Sequence, residues 1–145
     1  MQTAIKKIIL SIVYVMACYT TTVIAHGDHK DPTKSVKVNV VFSDALENVP
    51  GKALTVVEVD VPPGVGSPSH QHAGTVFVYV LEGTVKSQLN NGEIVEFKKG
   101  ESWIEPPGTV HSMTKNPSKT ENARVMAVFV AEEGAQLTTM DELVK

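Results

Sequence analysis

The segment PPGVGSPSHQHAGTVFVYVLEG, Pro62 to Gly83, carries His70 and His72 two positions apart. Side chains alternate between faces along a strand, so the two imidazoles point the same way. About thirty residues later GESWIEPPGTVH, Gly100 to His111, supplies a third imidazole, His111. Three neutral histidines form a metal-ligand set that leaves coordination positions open for water or substrate.

Outward from these segments the chain reads as short strands punctuated by turn residues. Val36 to Val40 alternates, and Asp44 to Lys52, with Pro50-Gly51, is a turn region. Ala53 to Val61 is β-branched and alternating, and Pro62-Pro63-Gly64 ends it. Thr75 to Leu81 is a strand turned by Glu82-Gly83, and Thr84 to Leu89 runs back. Asn90-Asn91-Gly92-Glu93 predicts an Asn-Gly hairpin into Ile94 to Phe97. Ser102 to Glu105, Val110 to Thr114 and Arg124 to Ala131 complete the set, and Leu137 to Lys145 is expected to form a short helical tail. Eight or nine short strands without a core helix mean an all-β sandwich or barrel.

The first 25 residues read as a secretory signal. Lys6 and Lys7 precede the apolar run Ile8 to Ala17, and Val23-Ile24-Ala25 offers a cleavage site after Ala25. Val15-Met16-Ala17-Cys18 is an alternative lipobox, in which an acylated Cys18 would anchor the protein to a membrane. The expected location is periplasmic or secreted. Cys18 is the only cysteine, so cutting after Ala25 leaves no disulfide and the core alone must hold the fold. Loss of Lys6 and Lys7 leaves 11 basic against 16 acidic residues, a net charge of −5. With a single Arg124 and no basic cluster, this argues against a nucleic-acid partner. Residues 26–35, with His26, Asp28, His29 and Asp31, are expected to be a polar arm, residues 36–133 the domain, and residues 134–145 a tail.

The two segments resemble the paired motifs of the cupin superfamily. Gly64, His70, Gln71, His72 and Gly83 match the first motif, and Gly100, Pro106, Pro107, Gly108 and His111 the second. The resemblance covers roughly residues 53–131. It implies a single-domain jelly-roll barrel (a double-stranded β-helix) with a metal in its mouth, held by His70, His72 and His111. Such a centre takes a divalent transition metal: Zn, Fe, Mn, Ni or Cu.

Two positions depart from the pattern. The family usually places a glutamate ligand at position 76, where this chain has Val76, and often an Asn four residues after the last histidine, where it has Lys115. Three readings of the missing carboxylate follow. The site is a true three-histidine centre, as some thiol-oxidising cupins have; another carboxylate supplies the ligand; or the metal is gone and a binding pocket remains. Glu105 is the candidate substitute and the one candidate for a catalytic base, although a surface carboxylate paired with a lysine is the favoured reading of it.

By parity, Val76, Val78 and Val80 share the face of the histidine pair and Met113 that of His111, giving an apolar mouth for a small, partly hydrophobic ligand. Phe77, Tyr79 and Leu81 lie opposite, and Trp103 belongs either to the pocket wall or to the core. Two functions are open: a small-molecule metalloenzyme with oxygenase-like or isomerase-like chemistry, or a non-catalytic periplasmic metal or small-ligand binding or sensor module. A homodimer is the expected assembly by analogy with the family.

Overall fold

A computed structural model describes residues 35–141, which form eleven strands and no helix. The expected leader and most of the arm lie outside the described residues. The strands are β1 (Lys37–Ala45), β2 (Lys52–Val61), β3 (Gly66–Ser67), β4 (His70–His72), β5 (Thr75–Glu82), β6 (Thr84–Leu89), β7 (Ile94–Lys98), β8 (Ser102–Glu105), β9 (Val110–Lys115), β10 (Ala123–Glu132) and β11 (Thr138–Met140). They make two antiparallel sheets. One has the order β1-β2-β10-β5-β8, and the other β11-β4-β9-β6-β7 with β3 beside β9. This is a jelly roll.

Alternation in the sequence becomes alternation in burial. Along β10 every second residue from Ala123 to Ala131 is buried, and on β5 Val76, Val78 and Val80 point inward. These side chains, with Val57, Val61, Val85, Val125 and Phe129, form one core between the sheets. Each buried valine contributes on the order of 1.5–3 kcal/mol relative to exposure, so the core is wide but built from small side chains. Gly74 and Gly83 bound β5 for steric reasons. At φ +119° and +71°, a Cβ would lie 2.3 Å from the Val130 carbonyl oxygen and 2.6 Å from that of Asn122, respectively.

Four details differ from the sequence reading. β1 runs on to Ala45, because a bulge between Val40 and Phe42 restores its register with β2 and absorbs the break in alternation. The hairpin between β6 and β7 turns on Asn90 and Asn91, both with positive φ (51° and 56°), and not on Asn-Gly. Asn90 is held there by its side chain, which accepts from the Val110 amide. Residues 142–145 lie outside the described residues; in place of the expected helical tail from Leu137, Thr138–Met140 form β11, drawn into a ladder opposite β4. Its backbone pairing outweighs local helix propensity.

The fourth concerns β9, where a bulge falls between His111 and Met113. After it the inward positions are Thr114 and Asn116, not Met113 and Lys115. The added residue also accounts for the displaced asparagine. Asn116 is fully buried, donates to the carbonyls of Val61 and Glu121, and accepts from the Ser118 amide.

The outer face of the five-stranded sheet carries a row of apolar cross-strand partners spanning all five strands: Phe42, Val56, Val128, Phe77 and Ile104. Phe42, Phe77 and Ile104 are exposed.

Candidate metal centre

β4 and β9 are neighbours, and His70 is the direct cross-strand partner of His111. His72, two residues on, lies on the same side. The three rings converge: centroids are 4.8 Å apart for His70–His72, 5.0 Å for His70–His111 and 6.4 Å for His72–His111. One ring nitrogen from each lies within 4.8 Å of the others. His70 and His111 are buried and His72 nearly so, its ring edge packed against Phe129 at 5.1 Å. All three expected ligands therefore face the interior.

The hydrogen bonds fix which nitrogens are free. His70 Nδ1–H donates to the Pro68 carbonyl at 2.7 Å, and His72 Nδ1–H to the Leu137 carbonyl at 3.1 Å, with Thr138 Oγ1 also at 3.1 Å. With Nδ1 engaged, both rings turn Nε2 to the cluster, the second-sphere arrangement that orients metal-ligating histidines. His111 is reversed. Its Nε2 lies 2.9 Å from Ser87 Oγ and 2.8 Å from Thr114 Oγ1, leaving Nδ1 for the site. Because hydroxyls both donate and accept, they satisfy either tautomer.

Glu105 corrects the favoured surface reading. It is 2% exposed, and no lysine touches it. β8 pairs with β5 so that Glu105 stands directly opposite Val76. A buried carboxylate thus stands on the neighbouring strand, across from the position where the sequence has a valine. Oε1 accepts from the Trp103 indole N–H at 2.9 Å and lies 3.1 Å from His111 Nδ1, while Oε2 lies 3.7 Å from His72 Nε2. Oε2 is buried and has no hydrogen-bond partner. A single ion about 2.0–2.2 Å from two donors holds those donors roughly 3–3.5 Å apart; the Oε1–His111 spacing falls in that range and the Oε2–His72 spacing just outside it, so Glu105 borders the three-histidine group. The three converging imidazoles, with a buried carboxylate beside them, are a donor set that could hold a divalent transition metal.

Burial dominates the electrostatics. Desolvation, then the fields of His70 and His72, push the His111 pKa down to about 3 against a backbone hydrogen bond at Met113. His72 is lowered by desolvation and to a smaller extent by His70, against its bond to Leu137. Glu105 is raised by desolvation, partly offset by the Trp103 bond. The 3.1 Å Glu105–His111 approach therefore involves a neutral imidazole and is not an ion pair. Stability should follow. The folded state resists protonating His111 and His72, so their contribution is complete above the ordinary histidine value of 6.5 and is lost as pH falls below it. Glu105 acts oppositely, favouring the fold most below 4.5 and less as pH rises through its raised value. Thermal unfolding of metal-stripped protein should show a loss of roughly 2 kcal/mol by pH 4.5, and a steeper one in Glu105→Gln. A flat profile would contradict the buried neutral cluster.

Above the cluster lies a cavity of about 150 Å³. Val76 and Val78 line it as expected, Val80 does not, and Thr114 takes the place expected of Met113. Trp103 plays both of its possible parts: it lines the cavity, stacks on Phe97 (4.4 Å between centroids) and holds Glu105. Ser87 and Thr114 were not singled out from the sequence. Ser87 had a signal: it shares an inward face with Val85 on β6, where a lone hydroxyl needs a partner.

Comparison with known proteins agrees with this architecture. The family profile described as "Cupin domain" matches residues 57–129. No curated protein matches the sequence. Among solved structures, a Klebsiella pneumoniae protein with a double-stranded β-helix domain is similar over 79% of this chain and 90% of its own, at 24% identity and TM-score 0.61. The lyase DddQ from Ruegeria pomeroyi, described as a DMSP lyase, is similar over 80% of this chain and 56% of its own, at 15% identity and TM-score 0.62. KdgF from Halomonas is similar over 72% and 86%, at 20% identity and TM-score 0.54. At these identities the likeness is one of fold.

Proposed function

The chain belongs to the cupin superfamily, and on that premise we propose that it binds one divalent transition metal through His70, His72, His111 and Glu105 and acts as a small-molecule metalloenzyme. The observation that carries the reading is the convergence of the three histidines beside the buried Glu105, whose unpartnered Oε2 lies 3.7 Å from His72 Nε2 and whose Oε1 lies 3.1 Å from His111 Nδ1. An orphaned carboxylate oxygen costs several kcal/mol unless a cation or donor meets it. A metal held there supplies Lewis-acid or redox chemistry at the positions its protein ligands leave open to the cavity. The chain's own residues do the rest. Pro68, Leu137, Ser87 and Thr114 lock the imidazoles, Trp103 fixes the carboxylate, and the valine walls exclude water around a bound molecule.

The three-imidazole, one-carboxylate set suits Fe, Mn, Ni, Zn or Cu, and the reaction class is oxygenase-like or isomerase-like. With Glu105 committed to the metal, it is a ligand and not a general base. The protein acts outside the cytoplasm after removal of its leader. Elemental analysis of protein recovered from its native compartment should find one metal per chain. Metal-free protein that binds an organic ligand would favour the binding or sensor module instead.

The homodimer is also proposed, supported by the apolar row on the outer sheet face. Light scattering should give twice the chain mass, and Ile104→Lys with Phe77→Lys should give a folded monomer. An unchanged mass in that variant rules out this face.

A further inference from the structure

The cavity divides sharply by sheet. The histidine sheet contributes its polar wall: Ser67, Thr114, Thr138 and the three imidazoles. The opposite sheet contributes valines from β1, β2, β5 and β10 with Ala127 and Phe129, and only Trp103 and Glu105, at its β8 edge, carry polar atoms. Among the described residues no lysine, arginine, asparagine or glutamine lines the space. The two exposed lining residues, Val38 on β1 and Met140 on β11, mark an entrance between the edges of the two sheets, and among the described residues that rim is apolar as well.

Such a space selects a ligand by the number of its polar groups. A group on the metal side finds the cluster, and also Ser67 Oγ, which is buried without a partner on that same wall. A second polar group at the far end would meet only valine and alanine methyls and lose its hydrogen bonds to water. The volume sets the size: an apolar cavity of about 150 Å³ accepts a molecule such as benzene.

We propose that the cavity takes a compact monofunctional molecule of about six to eight non-hydrogen atoms, with one coordinating head on the histidine–Glu105 cluster and a wholly apolar body against β2 and β10. Polyhydroxylated, phosphorylated and zwitterionic compounds are excluded. The place of the head rests on the metal reading above, whereas the fit of the body rests on the cavity alone.

Trp103, the only tryptophan in the chain, lines the cavity and reports occupancy by fluorescence. The probes are cyclohexanol, cyclohexane-1,4-diol and glucose, titrated into zinc-loaded and metal-stripped full-length protein, with zinc measured separately. Cyclohexanol should bind saturably, roughly tenfold or more tighter than the diol, and glucose should not bind. Ala127→Leu, which fills the apolar end, should weaken cyclohexanol at least about tenfold while zinc content stays unchanged. Val59→Phe, a half-buried position nearer the entrance, provides the same test should Ala127→Leu not fold. The proposal is overturned if the diol or glucose binds as tightly as cyclohexanol, if cyclohexanol does not bind saturably, or if neither filling variant weakens it. Cyclohexanol binding in a protein that retains no zinc upholds the cavity's selectivity and refutes the metal reading.

Discussion

His111→Ala should lower metal affinity by more than about 100-fold, beyond the 10- to 100-fold usual for loss of a supporting residue. Without it the two remaining imidazoles both sit on the three-residue strand β4. The variant also leaves Ser87 and Thr114 facing a void, at a cost of about 1–3 kcal/mol, so circular dichroism should accompany the metal assay. Glu105→Gln is the sharper test because it keeps shape and burial and removes one charge. If Glu105 is a ligand, its loss should cost at least about tenfold in affinity. If the centre needs only three histidines, Glu105→Gln should bind zinc as wild type does. Equal zinc occupancy in wild type, His111→Ala and Glu105→Gln would mean that the cluster is not a metal site.

Val76→Glu should be strongly destabilising without metal, by roughly 3 kcal/mol or more. Val76 is 1% exposed and directly opposite Glu105, and facing side chains on paired strands have Cβ atoms about 4.5–5.5 Å apart. Two carboxyl groups would then share a dry site with no cation. Adding metal should recover much of the loss and shift preference towards harder ions such as Mn. The exchange Val76→Glu with Glu105→Val moves the single carboxylate back to the strand where cupins usually carry it, and should restore both stability and metal binding. Denaturant unfolding of wild type, both single variants and the exchange, with and without metal, gives the coupling directly. Additive effects at the two positions would show that they do not face one site.

Much of the fold was legible because β-structure writes its burial pattern into the sequence at period two. Ala53 to Val61, Thr75 to Leu81 and Arg124 to Ala131 alternate, and they became the central strands β2, β5 and β10. The three histidines were legible for the same reason: His70 and His72 share parity, and the turn at Pro106-Pro107-Gly108 returns His111 to the same end. Parity fails wherever a bulge intervenes. The extra residue in β9 turned Met113 out and Thr114 in, and the one in β1 hid half of that strand.

The sequence by itself determined an all-β chain with three imidazoles on one interior face and a valine where a carboxylate was expected. Only the tertiary structure decided what became of that carboxylate. Glu105 shares strand parity with Trp103, which hints at an inward face, but it precedes a proline turn and its favoured local reading is a surface carboxylate. Its place depends on the register between β5 and β8, fixed by the pairing of Val76 with Glu105 and Val78 with Trp103 across more than twenty residues of intervening chain. Register is a property of two strands together, so parity within β8 could offer Glu105 as a candidate but could not decide that it lies beside the histidines.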